Sequence, residues 1–229
     1  AMTWPMYEEL KRICDDLAQN SEVRVVIFRG AGDKAFVSGS DIEQFVSLKK
    51  DEAYEQAVDR IFISLQELPM PTIAVIEGLA VGSGLLMATA CDFRISTPEA
   101  RFGIPVAKTL GNCLSPSNLN WICAHLGIPM VKKMLLTAEL VKAPELLASG
   151  YLYQTVDASE ITEAANTLAK KMAVLAPITQ KSSKLGIARL LRHNLPDCTD
   201  LLRETYNSKD FREGVNAFLD GRPPQWTGQ

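Results

Sequence analysis

The chain is expected to fold as an α/β protein with a parallel sheet covered on both faces, followed by a C-terminal helical layer. Three observations predict this. Residues 23–28, Thr72–Ile76 and Phe93–Ser96 are short apolar or β-branched runs, the composition of strands buried on both sides. Helical stripes alternate with these runs, as in layered α/β architectures. From Ser117 onward helical periodicity dominates. A length of 229 residues with 47% hydrophobic content, and neither an internal repeat nor a low-complexity tract, supplies one large core. The expected division is an α/β core over residues 1–158 and a helical region over residues 159–229.

Taken in order, residues 3–17 place Met6, Leu10, Ile13, Cys14 and Leu17 on one helical face, behind a Thr3 cap and with Pro5 in the first turn. The strand at residues 23–28 leads to a turn at residues 35–42, ahead of a further helix that Asp41 is placed to cap. Val58, Ile61, Phe62, Leu65 and Leu68 form a second helical stripe, ended by Pro69 and Pro71. The strand Thr72–Ile76, closed by Glu77, runs through a glycine turn at residues 78–84 into a short apolar helix, and Phe93–Ser96 follows as the third strand. Beyond a polar loop at residues 108–118, helices are expected at residues 160–175, 179–191 and 199–219, with Pro177 and Pro196 as breaks.

Bulk properties exclude several classes. A net charge of −3, a pI near 5.5 and scattered Lys and Arg residues give no electrostatic footprint for nucleic acid. The apolar runs at residues 72–76 and 85–90 fall far short of the roughly 20 residues that cross a bilayer. No signal peptide is visible at the start. Five cysteines without a CxxC pair, and two histidines (His125 and His193) far from any ligand spacing, imply free thiols in a reducing cytoplasm and no metal site.

Two of the turns have a shared chemical property. The first amides of a helix lack intrahelical partners and sit at the positive end of its dipole, so Gly82-Ser83-Gly84 suits a negative oxygen. Gly78, Gly82 and Gly84 give that turn freedom to bend and let a ligand approach closely. The turn Ala35-Phe36-Val37-Ser38-Gly39-Ser40-Asp41-Ile42 has the same setting after a strand and before a helix, so the two could supply one N–H each to a single oxyanion.

At these residues the chain resembles the crotonase superfamily, the enoyl-CoA hydratase/isomerase family, whose signatures read Ala-Phe-x-x-Gly-x-Asp and Gly-x-Ala-x-Gly-Gly-Gly and stand here at residues 35–41 and 78–84. The likeness continues through residues 91–95, 100–105 and 142–152, and so covers nearly the whole chain. It implies a (ββα)n spiral acting on an acyl-CoA thioester, with CoA as part of the substrate and no separate cofactor. By family correspondence the oxyanion donors are the backbone amides of Ser40 and Ser83, and Ser38, Gly39, Asp41, Ile42, Gly82, Leu86 and Val106 are substrate-binding positions. The adenine is expected near residues 38–40, with Lys34 either a phosphate contact or a solvated lysine. The family opens on a pair of strands that does not precede Ala1, so the resemblance implies a missing N-terminus and absent opening strands; residues 46–53 are also shorter than the family's. It further implies a homotrimer or homohexamer, with the helical region packed over the site or a neighbouring subunit.

One part of the family pattern is broken. Hydratases of the family share proton transfer between two glutamates, and the aligned positions here are Leu86 and Val106, the second being also the usual base of its double-bond isomerases. Neither side chain can move a proton. Substitutes are sought in the loop at residues 108–118. Asn112 and Ser115 could hold a water or polarise a substrate group, or Ser115 could cap the next helix while Asn112 follows Gly111 in a turn. Cys113 could be a nucleophile or base, or a buried inert thiol. Glu77 and Glu99 are read as structural or solvated.

Three functions compete on this reading. The first is an acyl-CoA hydratase or isomerase with an unidentified acid–base group, and the second a non-catalytic acyl-CoA-binding subunit, motivated by Leu86 and Val106. The third is a serine hydrolase using Ser83 with His125, although the turn lacks the Gly-x-Ser-x-Gly form. A dinucleotide site is excluded because residues 78–84 do not have the Gly-x-Gly-x-x-Gly spacing.

Overall fold

Successive strands alternate between two sheets, because a short turn after the strands Val26–Arg29, Thr72–Ile76 and Phe93–Ser96, holding Gly30 in the first case and Gly78 in the second, leads into a three-residue strand of the other sheet. The computed structural model describes residues 1–32, 34–42, 52–195 and 197–229, the side chains of residues 52–54 excepted. The helix expected after Asp41, most of the short segment at residues 46–53 and the Pro196 break lie outside the described residues.

The chain begins with α1 (Trp4–Gln19), β1 (Val26–Arg29), β2 (Ala35–Val37) and, beyond the undescribed segment, α2 (Glu52–Gln66). Next come β3 (Thr72–Ile76), β4 (Leu79–Val81), α3 (Ser83–Ala90), β5 (Phe93–Ser96) and β6 (Arg101–Gly103). The helices α4 (Pro116–Leu126) and α5 (Ile128–Leu136) lead to β7 (Val141–Lys142), α6 (Ala143–Ala148) and β8 (Gln154–Thr155). The chain closes with α7 (Ile161–Ala173), α8 (Pro177–Arg192), α9 (Thr199–Asn207) and α10 (Lys209–Leu219). One sheet has the order β1-β3-β5-β8 and the other β2-β4-β6-β7. All pairs are parallel except β6 with β7, which is antiparallel. That geometry is the expected α/β spiral with helices dominating its second half.

The strand β3 explains why a continuous apolar run was needed. Ile73 and Val75 face Ile95, Ile161, Leu168 and Met172, so α7 covers one side of the sheet. Ala74 and Ile76 face the main core with Phe62, Leu65, Leu85 and Phe102. Burying each large side chain there contributes about 1.5 to 3 kcal/mol. In α3 every residue from Ser83 to Ala90 is buried, as its all-round apolar composition requires. Its C-terminal end is held by Arg94, which donates to the carbonyls of Cys91 at 2.7 Å, Ala88 at 3.2 Å and Tyr151 at 2.8 Å. Asp92 ties α8 to the sheet, accepting from Lys184 Nζ at 2.7 Å and from the Thr72 amide at 2.7 Å.

Several expectations need correction. Thr3 precedes α1 but makes no side-chain cap. The buried face of α1 is Tyr7, Leu10 and Cys14, while Met6 and Ile13 are exposed, so the helix is rotated towards its aromatic side. The first strand is shifted to Val26–Arg29. The stretches read as turns at residues 35–42 and 78–84 each contain a strand, β2 and β4, too short to show alternation. The helix expected over residues 199–219 is two, divided at Ser208, whose hydroxyl accepts from the Phe211 amide at 2.9 Å and starts α10. Among the described residues, no helix is long and apolar enough to cross a membrane.

Candidate active site

The two signature turns leave neighbouring strands. Parallel pairing of β2 with β4 brings Ala35 opposite Leu79 and Val37 opposite Ala80, so the chain emerges from both strands at the same end. Gly39 has φ 118° and Gly82 φ 58°, conformations that admit glycine with least strain, and a Cβ on Gly82 would stand 3.6 Å from Gly39 Cα. Gly84 serves packing rather than ligand approach, because a Cβ there would lie 2.0 Å from the Val37 carbonyl oxygen. Gly78 likewise meets the Lys34 carbonyl oxygen at 2.0 Å. The turns are therefore wedged backbone against backbone.

This wedge presents two amides. Met2 donates to the Gly39 carbonyl at 2.8 Å and accepts from the Asp41 amide at 2.8 Å, a parallel bridge in which Ser40 turns its own N–H to the other side. Gly82 donates to the Gly103 carbonyl at 2.9 Å, while Leu85 and Leu86 donate back to Gly82, leaving Ser83 as the first helical residue. Among the described residues neither the Ser40 nor the Ser83 amide has a backbone acceptor. The Ser40 hydroxyl is 2.8 Å from the Tyr7 hydroxyl, which fixes the Ser40 side chain.

Both serines line one cavity of about 280 Å³, together with Ser38, Gly39, Ile42, Gly82, Leu86, Val106 and Asn112. The structure thus gathers nearly all the positions expected at the site. Asp41, Cys113 and Ser115 are not among the lining residues. Asp41 spends its amide on Met2. Ser115 caps α4, accepting from the Asn118 amide at 3.1 Å, and donates to Asp59 on α2 at 2.6 Å, so its role is structural. Ser115→Ala is expected to destabilise the protein by about 1 kcal/mol, measured as a shift in the urea midpoint. Cys113 packs against Leu202, Tyr206 and Phe211, and burial raises its thiol above the ordinary range, which disfavours the reactive thiolate. Cys113→Ala is expected to retain turnover within about twofold, and iodoacetamide should label Cys113 slowly in the folded protein.

His125 is not brought to Ser83. Its Nδ1 meets the Trp121 carbonyl at 2.7 Å, and it lines a separate cavity with Asp92 and Lys184. Burial lowers its pKa. Glu77 pairs with Arg29 at 2.7 Å, and Glu99 is exposed. No group of three or more His, Cys, Asp or Glu residues is placed to hold a metal ion among the described residues.

One polar group at this cavity escaped the sequence reading. Glu55 on α2 is 6% exposed and lines the same cavity as Ser40 and Ser83. The Tyr206 hydroxyl on α9 donates to its Oε1. Burial, and then the Glu55 charge, push the Tyr206 phenol well above its ordinary pKa, with a hydrogen bond from the Asn112 side chain acting the other way. The signal was present, since Glu55 stands three residues before Val58 and seven before Phe62 and so continues the buried stripe of its helix.

Two sheets wound as a spiral, with unpaired amides from two glycine turns over one cavity, define a protein of the crotonase superfamily. Within it, the chain belongs to the enoyl-CoA hydratase/isomerase family, whose model matches residues 1–229. It is 30% identical over 221 residues to the short-chain-enoyl-CoA hydratase of Clostridium acetobutylicum, covering 94% of this chain and 84% of that one. Identity is 31% over 228 residues with the (E)-benzylidenesuccinyl-CoA hydratase of Thauera aromatica, covering 96% and 88%. Among solved structures, a methylmalonyl-CoA decarboxylase in complex with 2-nitronate-propionyl-CoA superposes with a TM-score of 0.89 at 26% identity, covering 98% of this chain and 88% of that one.

Proposed function

We propose that the chain acts on an acyl-CoA thioester and stabilises its enolate oxygen with the backbone amides of Ser40 and Ser83. The observation that carries this is the pair of amides without backbone acceptors at one cavity. Negative charge grows on a thioester oxygen whenever its α-carbon is deprotonated, and each aimed donor is worth about 3 to 4 kcal/mol to such a transition state. The curated relatives, by name hydratases of CoA thioesters, support the substrate class. Leu86 and Val106 supply no proton transfer, so the standard two-glutamate hydration is not supported by this chain. A homotrimer or homohexamer is the assembly proposed with it.

A second reading, decarboxylation of a carboxyacyl-CoA, is favoured by the apolar pair and by the likeness to a methylmalonyl-CoA decarboxylase. Breaking the bond to the carboxylate leaves its electron pair as the enolate, releases carbon dioxide and needs no base; a proton from water then converts the enolate to the saturated thioester. Incubation with crotonyl-CoA and with methylmalonyl-CoA separates the readings. Loss of enoyl absorbance supports enolate chemistry at an unsaturated chain, while propionyl-CoA formation supports decarboxylation. Binding of both without turnover would assign a non-catalytic role.

A further inference from the structure

We infer that Glu55 is the proton-transfer group of this site, standing in for the carboxylates absent at Leu86 and Val106, and that the substrate is a thioester with a removable α-hydrogen. The inference rests on the thioester reading above. Among the described residues that line the cavity, Glu55 is the only carboxylate. It reaches the cavity from α2, an element separate from the two turns that carry Ser40 and Ser83, so base and oxyanion donors are supplied independently.

A carboxylate buried in an apolar wall is costly unless hydrogen bonds hold it. The fold supplies one from Tyr206, whose raised pKa keeps the phenol a donor. Asn112 lines the same cavity and its side chain hydrogen-bonds the Tyr206 phenol, so the donor that holds Glu55 is itself held in place.

The step balances without a further reagent. A Glu55 oxygen takes the α-hydrogen as a proton, and the pair from the broken C–H bond becomes the C=C bond of the enolate. The carbonyl π pair moves onto the oxygen held by the Ser40 and Ser83 amides. Return of a proton to the α-carbon regenerates the thioester, and delivery to the γ-carbon of an unsaturated chain shifts its double bond. Nothing is oxidised or reduced.

The test is deuterium exchange into butyryl-CoA, a saturated thioester with α-hydrogens, by the full chain in D2O, read by mass spectrometry. Glu55→Gln keeps an acceptor oxygen for Tyr206 and nearly the same volume, so a mere tie between α2 and α9 survives it. Exchange is expected to fall by at least about 10²-fold, with the butyryl-CoA dissociation constant held within about threefold. Exchange at the wild-type rate in Glu55→Gln overturns the assignment. If that variant fails to fold, Tyr206→Phe decides, because an exchange rate unchanged by loss of the phenol overturns it and a fall of about tenfold or more with binding kept supports it. Wild-type protein that binds butyryl-CoA without exchange overturns the role of Glu55 and leaves the thioester reading standing; failure to bind butyryl-CoA overturns the thioester reading itself.

Discussion

Ser83→Pro is expected to reduce thioester turnover by at least about 10²- to 10³-fold in a protein that still folds. Ser83 is the first residue of α3, where proline is the favoured residue because its missing N–H has no intrahelical acceptor to lose. Gly82 precedes it with φ 58° and ψ −121°, outside the helical region that a following proline disfavours. The substitution therefore spares the helix while deleting one of the two oxyanion donors, and the proline Cδ occupies the place of the lost hydrogen. Steady-state kinetics paired with a urea titration checks both halves. A variant that unfolds, or one that turns over at the wild-type rate, would contradict the assignment of Ser83.

Gly78→Ala has the largest expected effect on stability, about 3 kcal/mol or more. The residue has φ 66°, and a Cβ would stand 2.0 Å from the Lys34 carbonyl oxygen, which belongs to backbone and cannot rotate away. Gly150→Ala separates the two causes, because Gly150 has φ 80° and open space around it. About 1 kcal/mol is expected there from the backbone conformation alone. Urea denaturation of the two variants measures the difference, and equal losses would show that the close approach to Lys34 contributes nothing.

Much of this arrangement was legible in the sequence, and the misses have physical causes. The strand β3 was visible because burial on both faces demands an unbroken apolar run. Ser40 and Ser83 as the proposed donors came from the family correspondence, while the two turns were visible because glycine spacing marks them. The second sheet was not, since β2, β4 and β6 have three residues each, too few for a periodic signal. Ser208 divides two helices with a hydroxyl cap rather than a proline or glycine, so the helical pattern runs across it. Glu55 was missed because a glutamate in a helix ordinarily faces solvent, and only α9 folding back onto α2 buries it.

The hard contact between Gly84 and the Val37 carbonyl also bears on how this site can diversify. The spacing of the two donor amides is set by main chain, so no side chain has to be preserved to maintain it. Groups that choose the reaction hang at other positions, Leu86 further along α3 and Glu55 on α2, and can be exchanged one at a time. Leu86 and Val106 are vacant stations in that sense, while Glu55 is an occupied one on a different helix. Such a scaffold separates the electrostatics common to many reactions from the proton chemistry peculiar to each, and a carboxylate moved from Glu55 to Val106 is a change of reaction programme written on an unaltered frame.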